Sequence, residues 1–344
     1  MFGVKKAAVG LASRWSVELD DHIIALEWAP GGQWLAAGLV GGPVAILAAS
    51  TGERVATLPG HNVGTTSLSW SRDGRTLVTG GQDGKIRIWQ PESAELLFAL
   101  DAGAPWVEKV ACSPGSAHLL SAAGKVLRLW TTAGQFEREY PAHPSTIADV
   151  AWQGDSPYFT TVTYGRLAMF RVSHAEPTQT FEWKGSILRV AWSPDGNYVA
   201  TGNQDASVHF WYRKSGKDLE MSGYASKVRE LAWDSGSRYL ATGGSPVGIV
   251  WDCSGKGPAG TRPIQLRGHE AMLSALAYQR RGAHLVSGCR SGRLCLWRPD
   301  KGETQLAAAE LHSEITVLQW APDDKQFAAS TAAGRLQVGS LSEV

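Results

Sequence analysis

Thr65-Thr66-Ser67-Leu68-Ser69-Trp70, then Ser71-Arg72-Asp73-Gly74, then Leu77-Val78-Thr79-Gly80-Gly81, then Gln82-Asp83-Gly84, then Lys85-Ile86-Arg87-Ile88-Trp89 reads as three short strands joined by two tight turns. Within the strands the large apolar residues recur at every second position, as in Ile86 and Ile88, which is the period of a strand and not of a helix. Asp83-Gly84 is a hairpin signal, because glycine takes up the positive φ that a two-residue turn requires. The pattern returns as Trp192, Ser193-Pro194-Asp195-Gly196, Val199-Ala200-Thr201-Gly202, Gln204-Asp205 and Val208-His209-Phe210-Trp211, where proline and glycine again suit a turn.

Working outward, the residue that closes each first strand is Trp28, Trp70, Cys112, Trp152, Trp192, Trp233, Tyr278 or Trp320, at separations of 40 to 45 residues. Each third strand is followed by another extended segment, such as Arg54 to Leu58, Glu95 to Leu100 or Pro263 to Leu266. Four strands per unit at this period imply a β-propeller. The expected architecture is all-β: a single closed propeller of eight four-stranded antiparallel blades, one domain over residues 1–344. Repeat cores fall near 23–47, 65–89, 107–130, 147–170, 187–211, 228–251, 273–297 and 315–339. The last copy stops after its third strand. A spare strand at residues 14–20, containing Trp15 to Leu19, is expected to complete that blade and so remove two sheet edges. Residues 1–13 are read as an extension, since the apolar run after Lys5 and Lys6 is too short for the roughly 7 to 15 residues of a signal-peptide core.

The period resembles that of the WD-repeat β-propeller family, with Gly60-His61 and Gly268-His269 as its Gly-His pairs and Trp251-Asp252 as its name-giving dipeptide. The resemblance implies a buried hydrogen-bond network of His61, Thr79, Asp83 and Trp89 in the second copy. It implies a structural role for this His, Asp and hydroxyl rather than that of a hydrolase triad. The fifth copy has Trp183 where the histidine belongs, and the seventh has Ser291 where the aspartate belongs, so those copies are expected to lean more on apolar packing.

Composition narrows the function. Lys plus Arg number 33 and Asp plus Glu 32, a formal charge of +1, which supplies no overall attraction for a polyanion. No apolar run approaches the about 20 residues of a spanning helix. Four scattered cysteines in 344 residues do not make a disulfide framework, and a cytoplasmic setting is expected. The nine histidines form no paired metal motif, and neither a phosphate loop nor a nucleophile elbow is present. The expectation is a noncatalytic scaffold or adaptor, monomeric on its own. It takes no cofactor, metal, nucleic acid or membrane, and binds proteins or peptides on the face around the central channel. The alternative is a module that senses a small molecule or metal ion in that channel, with His22, His143 and His312 near its mouth.

Candidate contacts are the residues the repeat does not require. Trp106 and Trp183 stand in loops leading to a first strand, where interface anchors are often aromatic. The resemblance places Glu108, Lys109, Asp149, Arg189, Arg229 and Glu230 at the channel mouth, with Tyr224 and Arg290 in loops of the same face. Mixed charge suits a protein surface better than a phosphate backbone.

Overall fold

A computed structural model describes residues 9–343. The chain is a ring of antiparallel sheets, each with its first strand on the inside and its last outside. The first repeat shows the order, with strands Ile23–Trp28, Trp34–Leu39, Val44–Ala48 and Arg54–Leu58 paired in sequence. Burial falls outward along it: Ile23, Leu35 and Ile46 are fully covered, whereas Arg54 and Val55 are exposed.

The period of the repeat has a physical cause in the inner strands. Trp70 donates its indole N–H to the carbonyl of Glu27 at 3.0 Å, Trp152 to Ala111 at 2.9 Å, Trp233 to Ala191 at 3.3 Å and Trp320 to Ala277 at 3.0 Å. Each acceptor is the residue just before the previous closing residue, so the anchors staple one inner strand to the next. Cys112 occupies the same slot, its thiol 3.7 Å from the carbonyl of Ser69. Trp28 reaches the carbonyl of Gln319 at 3.2 Å, which carries the staple across the junction of first and last repeats.

Ring closure also involves the outer edge. Strand Val9–Glu18 pairs antiparallel with Arg335–Glu343 in a sheet completed by Gln326–Thr331 and Ile315–Trp320. The closing strand therefore starts at Val9, so residues 9–13, read as part of an extension, are paired with Gly339–Glu343. Residues 1–8 of that extension lie outside the described residues.

The number of blades is corrected. Among the described residues the strands assort into seven hydrogen-bonded sheets, six of four strands and one of six, so the propeller has seven blades by its sheets and not the expected eight. The segments read as the fourth and fifth copies share the six-stranded sheet, which runs from Asp149–Trp152 to Asp218–Met221. Two strands of 14 residues, Tyr158–Arg171 and Gln179–Trp192, cause the merger. Their links, Tyr164-Gly165 and Trp183-Lys184-Gly185, carry neither the Asp83-Gly84 turn nor the Gly60-His61 pair that punctuate the second copy. Strand pairing passes through the first with a bulge at Tyr164 to Arg166 and through the second into the pairing of Ile187 with Asn203.

Candidate functional site

The second repeat assembles its four-residue network as the resemblance implied. His61 Nδ1 is 2.8 Å from Asp83 Oδ1, His61 Nε2 is 2.8 Å from Thr79 Oγ1, and Trp89 donates its indole N–H to the same hydroxyl at 3.0 Å. One proton arrangement satisfies all three: Nδ1–H donates to Asp83, and the Thr79 hydroxyl donates to Nε2 while accepting from Trp89. Burial pushes the His61 imidazole below its ordinary pKa despite Asp83. Burial opposes ionisation of Asp83, yet hydrogen bonds from Arg87 and His61 outweigh it and hold this carboxyl low. His61, Thr79 and Trp89 are sealed inside the blade, with His61 1% exposed, while Asp83 reaches the surface in part. Thr79→Val leaves two buried donor and acceptor groups unmet, and its expected cost is about 3 kcal/mol, read as a shift of the denaturant midpoint at constant slope.

The same slot recurs with other residues, always 18 positions before the hydroxyl. His143 Nε2 meets Thr161 Oγ1 at 2.9 Å and His269 Nε2 meets Ser287 Oγ at 2.6 Å. Trp297 donates to Ser287 at 2.7 Å. The seventh repeat therefore keeps three members of the network, His269, Ser287 and Trp297, with Ser291 where the aspartate belongs. In the sixth, Tyr224 fills the slot: its hydroxyl lies 2.9 Å from Thr242 Oγ1 and accepts the indole N–H of Trp251 at 3.0 Å. Tyr224 is thus a blade residue and is not free on the face. Trp183 fills the slot of the fifth repeat, half-buried against His209 at a ring separation of 3.7 Å. His143, named for the channel alternative, points into its blade.

The remaining expected contacts come together around the axis. A cavity of about 750 Å³ is lined by Trp106, Glu108, Lys109, Arg189 and Arg229, among others. A second, of about 560 Å³, is lined by Asp149, Arg189, Arg229, Glu230 and Arg290. Both include Ile24, Arg189, Arg229 and Val317, so the two are parts of one channel. Trp106 is 50% exposed, against the half-buried Trp183. Asp149 is buried, accepts the N–H of Val190 at 3.2 Å, and stands 3.8 Å from Lys109 and 3.7 Å from Arg189. Glu108 accepts the N–H of Gly124 at 2.7 Å and Glu230 that of Gly244 at 3.3 Å. Burial pushes both carboxyls upward.

One channel residue escaped the sequence reading. Glu27 lines the larger cavity, and burial pushes its carboxyl up to about 7 against the opposing charge of Lys109. Its position just before the anchor Trp28 would have marked it, since an acid there is aimed at the axis.

Ring, staples and network define the class, a β-propeller of WD-type repeats. The family described as "WD domain, G-beta repeat" matches residues 52–90, 175–212 and 260–298, each match running from an outer strand to the tryptophan that closes the next repeat. The chain carries WD40 repeats, and its relatives are WD-repeat proteins. It is 26% identical over 165 residues to Protein FIZZY-RELATED 3 of Arabidopsis thaliana, covering 46% of this chain and 34% of that protein. It is 22% identical over 280 residues to Autophagy-related protein 16 of Arabidopsis thaliana, covering 80% and 55%. With Telomerase protein component 1 of Rattus norvegicus it shares 24% over 315 residues, covering 89% and 12%. The chain spans only part of the length of each of these relatives. The computationally designed Ika8 protein, solved by crystallography, shares the fold at a TM-score of 0.83 and 20% identity, over 96% of this chain and 99% of that one.

Proposed function

We propose that this protein is a noncatalytic scaffold or adaptor that holds partner proteins or peptides on the face around its channel. The observation that carries the reading is Trp106, a large aromatic half exposed to solvent, lining the same channel cavity as Arg189 and Arg229. Repeat geometry does not require an aromatic in that loop, and buried aromatic and arginine anchors supply most of the energy of protein interfaces. The WD40 relatives support the class, while a fold alone leaves function open. Four buried cysteines, none in a disulfide, suit the reducing cytoplasm.

The double variant Trp106→Ala, Arg229→Ala is expected to lose captured partners in affinity purification from the native cells, at an unchanged melting temperature. Partners retained in full by the variant would sink this face as the site. Trp183→Ala is the contrast: it should lower the melting temperature, because its ring packs inside the blade.

A further inference from the structure

The channel mouth sets cations and acids side by side, and among the described residues two of its cations stand outside its ion pairs. Arg189 and Arg229 line both cavities, and Lys227 and Arg290 line the smaller one. The acids lining the two cavities are Glu27, Glu108, Asp149, Glu230 and Glu314, and the last four are engaged. Asp149 is held between Lys109 and Arg189, Glu108 and Glu230 accept backbone N–H groups, and Glu314 stands 3.7 Å from Arg290. Among the described residues, the ion pairs at the mouth include neither Lys227 nor Arg229. Cations left unmatched in a cleft with low-dielectric walls focus the field on an incoming anion.

Resting on the partner-binding reading above, we propose that the mouth receives an acidic peptide segment. A partner's Asp or Glu carboxylate seats between Arg189 and Arg229, and an adjoining apolar side chain lies on Trp106. Guanidinium groups suit this, since each offers a planar pair of N–H donors to a carboxylate. A continuous phosphate backbone fits less well. It would pass over Asp149, Glu230 and Glu314, which alternate with the cations, whereas separate carboxylates on a peptide meet the cations singly.

The test uses the full chain and fluorescein-labelled, end-blocked peptides of about twelve residues, sharing one leucine and tryptophan pattern, whose polar positions are all Glu, all Gln or all Lys, read by anisotropy. A phosphoserine peptide and a dT oligonucleotide of the same length complete the set. The Glu peptide should bind, weakening at least about tenfold between roughly 50 and 500 mM NaCl as screening grows. Arg229→Gln should weaken it about tenfold and Arg229→Glu abolish it, with Lys214→Gln, on an outer turn, as an unchanged control. The phosphoserine peptide should bind with the same dependence on Arg229. Failure of the Glu peptide to bind, or binding that Arg229→Glu leaves intact, overturns the proposal. So does an oligonucleotide held as tightly as the Glu peptide. If instead the Gln or Lys peptide binds best and is lost in Trp106→Ala, the acidic partner is overturned while the face remains the binding site.

Discussion

A chain lacking residues 1–20 melts more than about 10 °C below the full-length protein. The strand removed pairs along Arg335–Glu343 and sits between two cores: Trp15 and Val17 pack with Leu19 against the first repeat, and Val9 and Leu11 pack against the last sheet. Trp15 also donates its indole N–H to the carbonyl of Ala49 at 2.8 Å, and the N–H of Leu19 donates to Gly334 at 2.8 Å. Burying each such side chain is worth about 1.5 to 3 kcal/mol, so even with partial burial the group contributes on the order of 6 kcal/mol. In a chain of this size each kcal/mol corresponds to roughly 2 °C. The strand Arg335–Glu343 would become an open edge, inviting association as well as unfolding. Differential scanning calorimetry reads the shift, and an unchanged transition would mean that the inner-strand staple from Trp28 to Gln319 closes the ring unaided.

What was legible in the sequence follows the same division. The anchors could be found because Trp28, Trp70, Trp152, Trp233 and Trp320 each reach one particular carbonyl across the junction of two repeats, which fixes their spacing and chemistry, and Cys112 keeps the slot with a thiol. The turns were legible through Asp-Gly and Ser-Pro-Asp-Gly. The merger of two repeats was hidden, since Tyr164-Gly165 looks like an ordinary hairpin corner, and only the strand pairing through Lys184-Gly185 reveals the continuous sheet. Tyr224 was misplaced for a different reason: it was read as a loop residue of the face, whereas its offset of 18 residues from Thr242, the same offset that puts Trp183 in the histidine's position, places it in the slot that His61 fills. Trp106 has no hydroxyl at that offset, because position 124 is glycine, and its exposure is consistent with a ring that the blade does not claim.

Between pH 7 and pH 4 the protein is expected to lose about 3 kcal/mol of stability, and the Glu27→Gln variant about 6. His143 and His269, each nearly covered, are pushed by burial from 6.5 down to about 4. Their folded pKa lies below the unfolded value. Their contribution is therefore complete above about pH 6.5 and is lost as the pH falls towards 4, where the unfolded chain takes up protons that the folded one refuses. At 1.36 kcal/mol per pK unit each accounts for about 3 kcal/mol. Glu27 acts in the opposite sense: burial raises its carboxyl from 4.5 to about 7, so its penalty is felt at neutral pH and is relieved as the pH falls through 7 towards 4.5, returning about 3 kcal/mol. His61 and His209, also lowered by burial, add to the loss. Urea midpoints measured across this range give the balance directly. His143→Gln and His269→Gln should each flatten the wild-type curve while Glu27→Gln steepens it, and parallel curves for all four proteins would show that these three groups titrate in the fold as they do in the unfolded chain.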